Sequence, residues 1–310
     1  MNKSITIIIP NYNGVEILSQ NLPSTIKIAQ KYSAPIIIVD DKSTDNSVEM
    51  LKRDFPELKL IEKDINQGFS STVNLGVKNA QSELVCLLNS DVIPTENFLD
   101  PLMPYFNDSE TAAVGMQDFS DDKKTHGRGK FIFHRGFILH ERFSQDDTNL
   151  QSGITGWVSC GSGLFSKKIW EELGGLDELL DPFYFEDVDY GYRAWKSGYK
   201  MYFESNSHVE HIHKTGAIKS NYDEKRIKTI SYRNQFIFNW KNITDASLFR
   251  QHLQTLPKNI VIEIKNNNLV FIKGLIEAIK VKEQLKVKKN MFASKIKLQD
   301  TEILKIFANG

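Results

Sequence analysis

Glu186, Asp187 and Asp189 place three carboxylates within four residues, directly after the aromatic run Phe183-Tyr184-Phe185. The helix dipole favours acidic side chains at a helix N-terminus, but three beside aromatic walls exceed that need. One of them, facing a pocket, could take a proton from an attacking hydroxyl as a general base. Asp189 is also spaced to pair with Arg193 at i,i+4. Asp91 closes Leu-Leu-Asn-Ser-Asp, and an oxygen ligand at a strand tip suits a hard cation such as Mg2+ or Mn2+. Taken alone, the same residue reads better as the cap of the turn before Pro94. Asp40 ends Ile-Ile-Ile-Val, where a carboxylate can accept hydrogen bonds from a base or ribose. Ser43 and Asp45 after it are equally suited to capping the next helix. His208, His211 and His213 occupy a strand-like stretch, and alternation puts His211 and His213 on one face, toward a metal or a phosphate. Trp157, Cys160, Gly161 and Gly163 form a small-residue segment around a flat aromatic, suited to a sugar ring or to close strand packing. No Ser-His or Cys-His pairing stands out, so a covalent nucleophile is not expected.

These residues need a frame, and the first hundred positions supply one. Ile5–Ile9, Ile36–Val39, Leu58–Ile61 and Leu84–Leu88 are short apolar runs, separated by helical patterns at Val15–Lys31, Ser47–Phe55 and Ser70–Asn79. That rhythm predicts βαβ units and a mostly parallel sheet flanked by helices, an α/β fold. Polar clusters follow each run, at Asn11–Gly14, Asp40-Asp41, Asn66–Gly68 and Asn89–Asp91. Ligands of open α/β sheets bind outside the carboxyl ends of the strands, so four such clusters describe one pocket. The charged stretch Gln117–Gly156 reads as a long excursion or flexible loop. Further helices are expected at Lys167–Leu173 and Glu186–Ser197, and from Asp223 the chain turns helical and basic.

Composition sharpens that division. The 310 residues carry 39 Lys+Arg and 39 Asp+Glu, with 40% hydrophobic residues, which excludes collagen-like, disulfide-rich and wholly disordered classes. The neutral total hides a split: residues 1–218 hold 21 basic and 31 acidic side chains, and residues 219–310 hold 18 and 8. Two cysteines, Cys86 and Cys160, suggest a reducing compartment rather than a disulfide framework. The apolar stretch Ile5–Ile9 is too short for a signal-peptide core, and no segment approaches a membrane span, so a cytoplasmic location is expected.

Taken in order, the motifs resemble the family 2 glycosyltransferases of GT-A fold, including bacterial rhamnosyltransferase- and galactofuranosyltransferase-like members. The resemblance rests on Pro10–Gly14, Val39–Asp45, Asn66–Phe69, Asn74-Leu75-Gly76, Leu88–Asp91, Gly174–Glu178 and Phe185–Ala194, and runs along nearly the whole chain. It implies a GT-A catalytic domain over residues 1–218, with a nucleotide-sugar half to about 115 and an acceptor half to 218. A basic helical extension follows over 219–310. It implies transfer of a sugar from a nucleotide diphosphate donor to a hydroxyl of a glycan or lipid-linked glycan, with inversion and with Mg2+ or Mn2+, in cell-surface polysaccharide synthesis. Asp187 matches the catalytic base. Asp91 matches the last Asp of the DXD metal motif, although Asn89 and Ser90 leave it with one acidic side chain. His211, in Val209-Glu210-His211, or His213 in an alternative register, matches the metal- or diphosphate-binding histidine. Donor contacts are implied at Pro10, Asn11, Tyr12, Asn13, Asp40, Asn66, Gly68, Asn74, Asn89 and Ser90. Acceptor contacts are expected at Trp157, Gly161 and Glu186. Arg233-Asn234 and Trp240-Lys241-Asn242 resemble a recurring segment of bacterial members.

Competing classes fit less well. A sugar-nucleotide pyrophosphorylase would place a Gly-rich loop with Arg and Lys after the first strand, where this chain has Asn-Tyr-Asn-Gly. No G-x-G-x-x-G follows a strand, which argues against a dehydrogenase. A processive synthase would be expected to show membrane spans and Q-x-x-R-W. A catalytically weak relative that only binds a nucleotide-sugar or glycan stays open. In the tail, Ile272, Leu275, Ile276 and Ile279 fall at helical spacing among lysines, which suits packing on the body or attraction to an anionic membrane surface at the inner face of the cell membrane. No nucleic-acid partner is expected.

Overall fold

The computed structural model describes residues 3–120, 125–143, 150–211 and 222–308. Its first part alternates β1 (Ile5–Asn11), α1 (Val15–Lys31), β2 (Ile36–Asp40), α2 (Ser47–Asp54), β3 (Lys59–Glu62), α3 (Phe69–Asn79) and β4 (Leu84–Leu88). β1, β2 and β4 are buried on both faces, because successive side chains of a strand point to opposite sides. Ile7 and Ile9 pack with Leu18 and Leu22 of α1 and Met50 and Leu51 of α2. Ile8 packs on the other face with Val73 and Val77 of α3. The strands lie in the order β3-β2-β1-β4, all parallel. Since β2 and β4 flank β1 on opposite sides, the winding reverses beside β1, and the crevice at that switch point is where such sheets bind ligands.

The second part runs through β5 (Val92–Pro94), β6 (Thr111–Ser120), β7 (Thr125–His126), β8 (Gly129–His134), β9 (Phe137–Arg142), β10 (Gly153–Ile154), β11 (Ser162–Ser166), α4 (Lys167–Leu173), α5 (Glu186–Lys196) and β12 (Lys200–His211). The sheet continues from β4 through β11, β6 and β12 to β10. β11 enters antiparallel to both neighbours, while β6 and β12 are parallel. This is the mixed α/β sheet of a GT-A fold.

Gln117–Gly156 is therefore not simply an excursion. β6 extends to Ser120, and β8 and β9 form a hairpin that sends Phe131, Phe137 and Ile138 into the core. Its turn is Arg135-Gly136, both at positive φ (50° and 83°), the geometry of a two-residue type I′ turn. Arginine in place of the usual Asn or Asp conceals that turn from sequence reading.

From Asp223 the chain forms α6 (Glu224–Asn242), α7 (Ala246–Lys265), α8 (Leu269–Lys280), α9 (Lys282–Ala293) and α10 (Asp300–Ala308). Their inner faces join the core of the preceding part, with Phe307 of α10 against Phe131 and Trp195. Buried charges tie them down as well. Lys241 of α6 bonds Asp177 and lies 2.7 Å from Asp189 of α5, which also holds Arg193 at 2.8 Å in the i,i+4 pair. Lys196, at the end of α5, meets Asp300 at 2.9 Å, and both are almost fully buried.

Candidate active site

The loops after β1 and β2 are built as one unit. Asp40 is buried, and its carboxylate accepts from the Ser43 N–H at 2.8 Å, the Ser43 hydroxyl at 2.6 Å and the Asn11 amide at 2.8 Å. The Ser43 hydroxyl also accepts from the Asn13 N–H at 2.9 Å. Asp45 accepts from the N–H groups of Val15 and Ser47, so it caps α1 and α2 together. Asp41 holds the next loop through the Gln67 and Gly68 N–H groups and a buried ion pair with Lys63 at 2.7 Å. Gly68 sits at φ 101°, where a side chain would also press within 2.9 Å of Asp181 and Pro182. Asp181 caps α3 through the Ser70 and Ser71 N–H groups, yet burial lifts its carboxyl to about 7.

At the end of β4, Asn89, Ser90 and Asp91 turn sharply into β5. Asp91 Oδ1 lies 3.2 Å from His211 Nε2, and His211 Nδ1 lies 2.8 Å from Asp118 Oδ2 on β6. The register brings them together, since β12 pairs His211 with Val92 of β5 on one side and with Ser120 of β6 on the other. Burial works against a charged imidazole here, but the bonds to Asp118 and Asp91 override it and push His211 up to about 10. The buried Asp118 Oδ1 lacks a hydrogen-bond partner. Two acceptor carboxylates facing both ring nitrogens need a positive charge among them, either an imidazolium or a cation. The donor set fits a divalent ion, with Asp118 orienting His211 as the outer carboxylate of a carboxylate–histidine–metal relay. Among the described residues no three His, Cys, Asp or Glu side chains are arranged to hold a metal by themselves. Asp91 and His211 would supply two ligands, leaving positions for diphosphate oxygens and water.

The third component is the start of α5. Phe185, at φ 73°, turns the chain into the helix, and the Val188 N–H donates to Asp187 at 2.7 Å. Burial nevertheless pushes Asp187 up to about 6, and burial together with Asp187 pushes Glu186 well above the usual carboxylate range. At about 6, Asp187 is still mostly ionised at neutral pH. Cys160 feels the charges of both, and its neighbour Gly161 accepts from the Asn89 N–H at 2.9 Å. A Cβ at Gly161 would lie 2.4 Å from the Asn89 amide, so a side chain there would have to push that amide aside. The segment around Cys160 and Gly161 thus joins the metal-suited end of β4 to the carboxylates of α5.

An aromatic wall flanks those carboxylates. The exposed His140 of β9 stands edge-on to Trp157 and to Phe185, with ring centroids 5.3 Å and 5.1 Å apart. Trp157 itself lies against Gly191 of α5. The loop leading into α5 is clamped by Asn234 of α6, whose amide donates to the carbonyls of Leu180, Phe183 and Tyr184 at 2.6–3.0 Å. Arg233 donates to those of Leu179 and Asp181.

The sequence-predicted residues divide accordingly. Asn11, Asn13 and Asp40 meet in one loop network, and Asn89, Gly161, Glu186 and Asp187 surround one small-residue segment. Asp91 meets His211, while His213 lies outside the described residues. Pro10 pairs with Val39 inside the sheet, Tyr12 is half-buried beyond it, and Asn66 is exposed on its loop. Asn74 is engaged elsewhere: its amide bonds the N–H and the carbonyl of Leu176, each at 2.9 Å, tying α3 to the segment after α4. Sequence reading missed Asp118, His140 and the clamp made by Asn234. Continuing the apolar run Ala112–Met116 as a strand would have put Asp118 at its polar end.

Residues 6–174 match the family described as Glycosyl transferase family 2. The chondroitin synthase of Pasteurella multocida is 24% identical over 228 residues, which is 64% of this chain and 23% of that protein. The chain thus spans about a quarter of that curated relative. The crystal structure of GalNAc-T7 with UDP, GalNAc and Mn2+ superposes with a TM-score of 0.61 over 85% of this chain and 57% of its own, at 16% identity. The mannosyltransferase PcManGT of Pyrobaculum calidifontis, in complex with GDP-Man and Mn2+, gives 0.56 over 95% and 80%, also at 16%.

Proposed function

The chain belongs to glycosyl transferase family 2, and from that premise we propose that it moves a sugar from a nucleotide diphosphate sugar to a hydroxyl of a glycan or lipid-linked glycan, with inversion. The observation that carries the reading is the separation of two chemistries across Cys160 and Gly161. Asp91, in the turn after β4, meets His211 of β12, and an ionised Asp187 stands at the start of α5.

The loops of Asn11, Asn13 and Asp40 receive the nucleoside, and the turn of Asn89 and Ser90 faces the diphosphate. Asp91 and His211 would hold Mg2+ or Mn2+, which would neutralise charge on the departing diphosphate. Trp157, His140 and Phe185 wall the acceptor sugar, and Glu186, with one buried carboxyl oxygen lacking a hydrogen-bond partner among the described residues, bonds it. Asp187 takes the acceptor proton as its oxygen displaces the diphosphate in one step, so no enzyme nucleophile is involved. The fit of these parts favours turnover over binding alone. The sugar, rhamnosyl and galactofuranosyl among the candidates, follows from the shape of this wall.

Incubating the purified chain with a panel of nucleotide sugars, Mn2+ and glycan acceptors tests the reading. Release of free nucleotide diphosphate with an inverted product is expected for one donor. Tight donor binding without hydrolysis or transfer across the panel would identify a binding protein instead.

A further inference from the structure

We propose that α7 and α8 form a docking face for an anionic lipid bilayer. Among the described residues eleven large hydrophobic side chains are exposed, and eight of them lie between Leu253 and Met291, at 47–69% exposure. On α7 these are Leu253, Val261 and Ile264, and on α8 Leu269, Ile276 and Ile279. At 3.6 residues per turn each trio falls within about 80° of arc, displaced from the buried faces marked by His252 and Asn259 on α7 and by Phe271, Gly274 and Ala278 on α8. The core has used one stripe of each helix, and a second apolar stripe faces outward.

Charge selects the partner. Arg250, Lys258 and Lys265 border the outer stripe of α7, and Lys273 and Lys280 border that of α8, all exposed. The acidic residues of the two helices are engaged by close neighbours: Glu263 accepts from Asn268 at 2.7 Å, and Glu277 pairs with Arg226 at 2.5 Å. The stripes are thus rimmed by an excess of positive charge, five basic side chains against Glu263 and the paired Glu277, in a segment (219–310) with 18 basic and 8 acidic residues. Apolar side chains between lysines are the pattern of helices that lie in a headgroup layer, where anionic lipid attracts the rim and acyl chains accept the stripe. Two such faces would repel each other, which disfavours a second copy as the occupant. A nucleic acid would leave the apolar stripes wet. No described helix is long and apolar enough to cross a membrane, so the contact is interfacial. The anionic inner face of the cell membrane is the surface we assign to it.

Vesicle co-sedimentation of the full chain, without donor or acceptor, tests the face independently of sugar transfer. Binding to phosphatidylcholine vesicles containing phosphatidylglycerol, and none to phosphatidylcholine alone, is expected. Raising the salt should weaken it. Ile264→Ser/Ile276→Ser/Ile279→Ser and Lys265→Glu/Lys273→Glu/Lys280→Glu should each weaken it at least about tenfold while circular dichroism stays unchanged. Equal binding to neutral and anionic vesicles, or wild-type binding by the serine variant, would overturn the proposal. So would a wild-type dimer that the serine variant converts to monomer without any vesicle binding.

Discussion

Asp187→Asn changes one atom type at the start of α5 and should move activity and stability in opposite directions. Burial raises the carboxyl from an ordinary value near 3.8 to about 6, against the Val188 N–H that stabilises its anion. An ionised Asp187 is therefore held at a disadvantage in the folded protein. A group with a raised carboxyl pKa penalises folding above the folded value and ceases to do so below the unfolded value. Roughly two pH units correspond to about 2–3 kcal/mol at neutral pH, and Asn removes that penalty, so the melting temperature should rise by a few degrees. Transfer should fall about 10²–10⁴-fold, the usual worth of a general base. In the wild type, kcat/KM should fall as pH drops through about 6, to roughly a tenth of its plateau at pH 5. The variant should lose that limb while donor affinity, measured by calorimetry, stays within about twofold. Initial rates from pH 5 to 8 and a thermal melt of each protein decide the matter. A variant with the wild-type rate, or one that retains the acid limb, would refute the assignment of Asp187 as base.

Other outcomes follow from the same geometry. Asp118→Ala should weaken Mn2+ binding about 10–100-fold in a direct titration, because His211 loses the group that orients it. His140→Ala should raise the acceptor KM and leave donor hydrolysis unchanged, since its ring contacts are Trp157 and Phe185. Asn234→Ala frees three backbone carbonyls and should cost about 1–3 kcal/mol in denaturant unfolding, with kcat falling more than donor affinity. Lys241→Met leaves Asp177 and Asp189 without their shared cation, and a loss of about 3–5 kcal/mol is expected by the same measurement.

What the sequence discloses here depends on how locally each feature is encoded. β1, β2 and β4 are read directly because buried parallel strands are continuous apolar runs. The polar residues that end them follow for the same reason, so Asn11, Asp40 and Asp91 are found early. Asp187 is visible through its aromatic and acidic neighbours. Asp118 is not, because its meaning comes from a register that sets β6 beside β12, with His211 more than ninety positions away. The β8–β9 hairpin escapes because its turn uses arginine where Asn or Asp would signal it. Asn234 and Lys241 stand out in the sequence through their resemblance to a recurring segment, but their roles appear only when α6 lies across α5 and the loop before it. Asp45 is a capping residue whose carboxylate serves two helices at once, which spacing to one helix alone does not reveal.

The ion pair between Lys196 and Asp300 also orders events in time. A ribosome adding about 5–20 residues per second needs roughly 5–20 s to reach Asp300 after making Lys196. Through that interval the end of α5 carries an ammonium whose destined counter-charge does not yet exist, while Lys241, the partner of Asp189, is itself made about 2–9 s after Lys196. The buried seat of Lys196 therefore cannot be completed as an ion pair until the last helix has been made. Until then the faces of Phe131 and Trp195 that Phe307 covers stay open, apolar surface of the kind chaperones recognise.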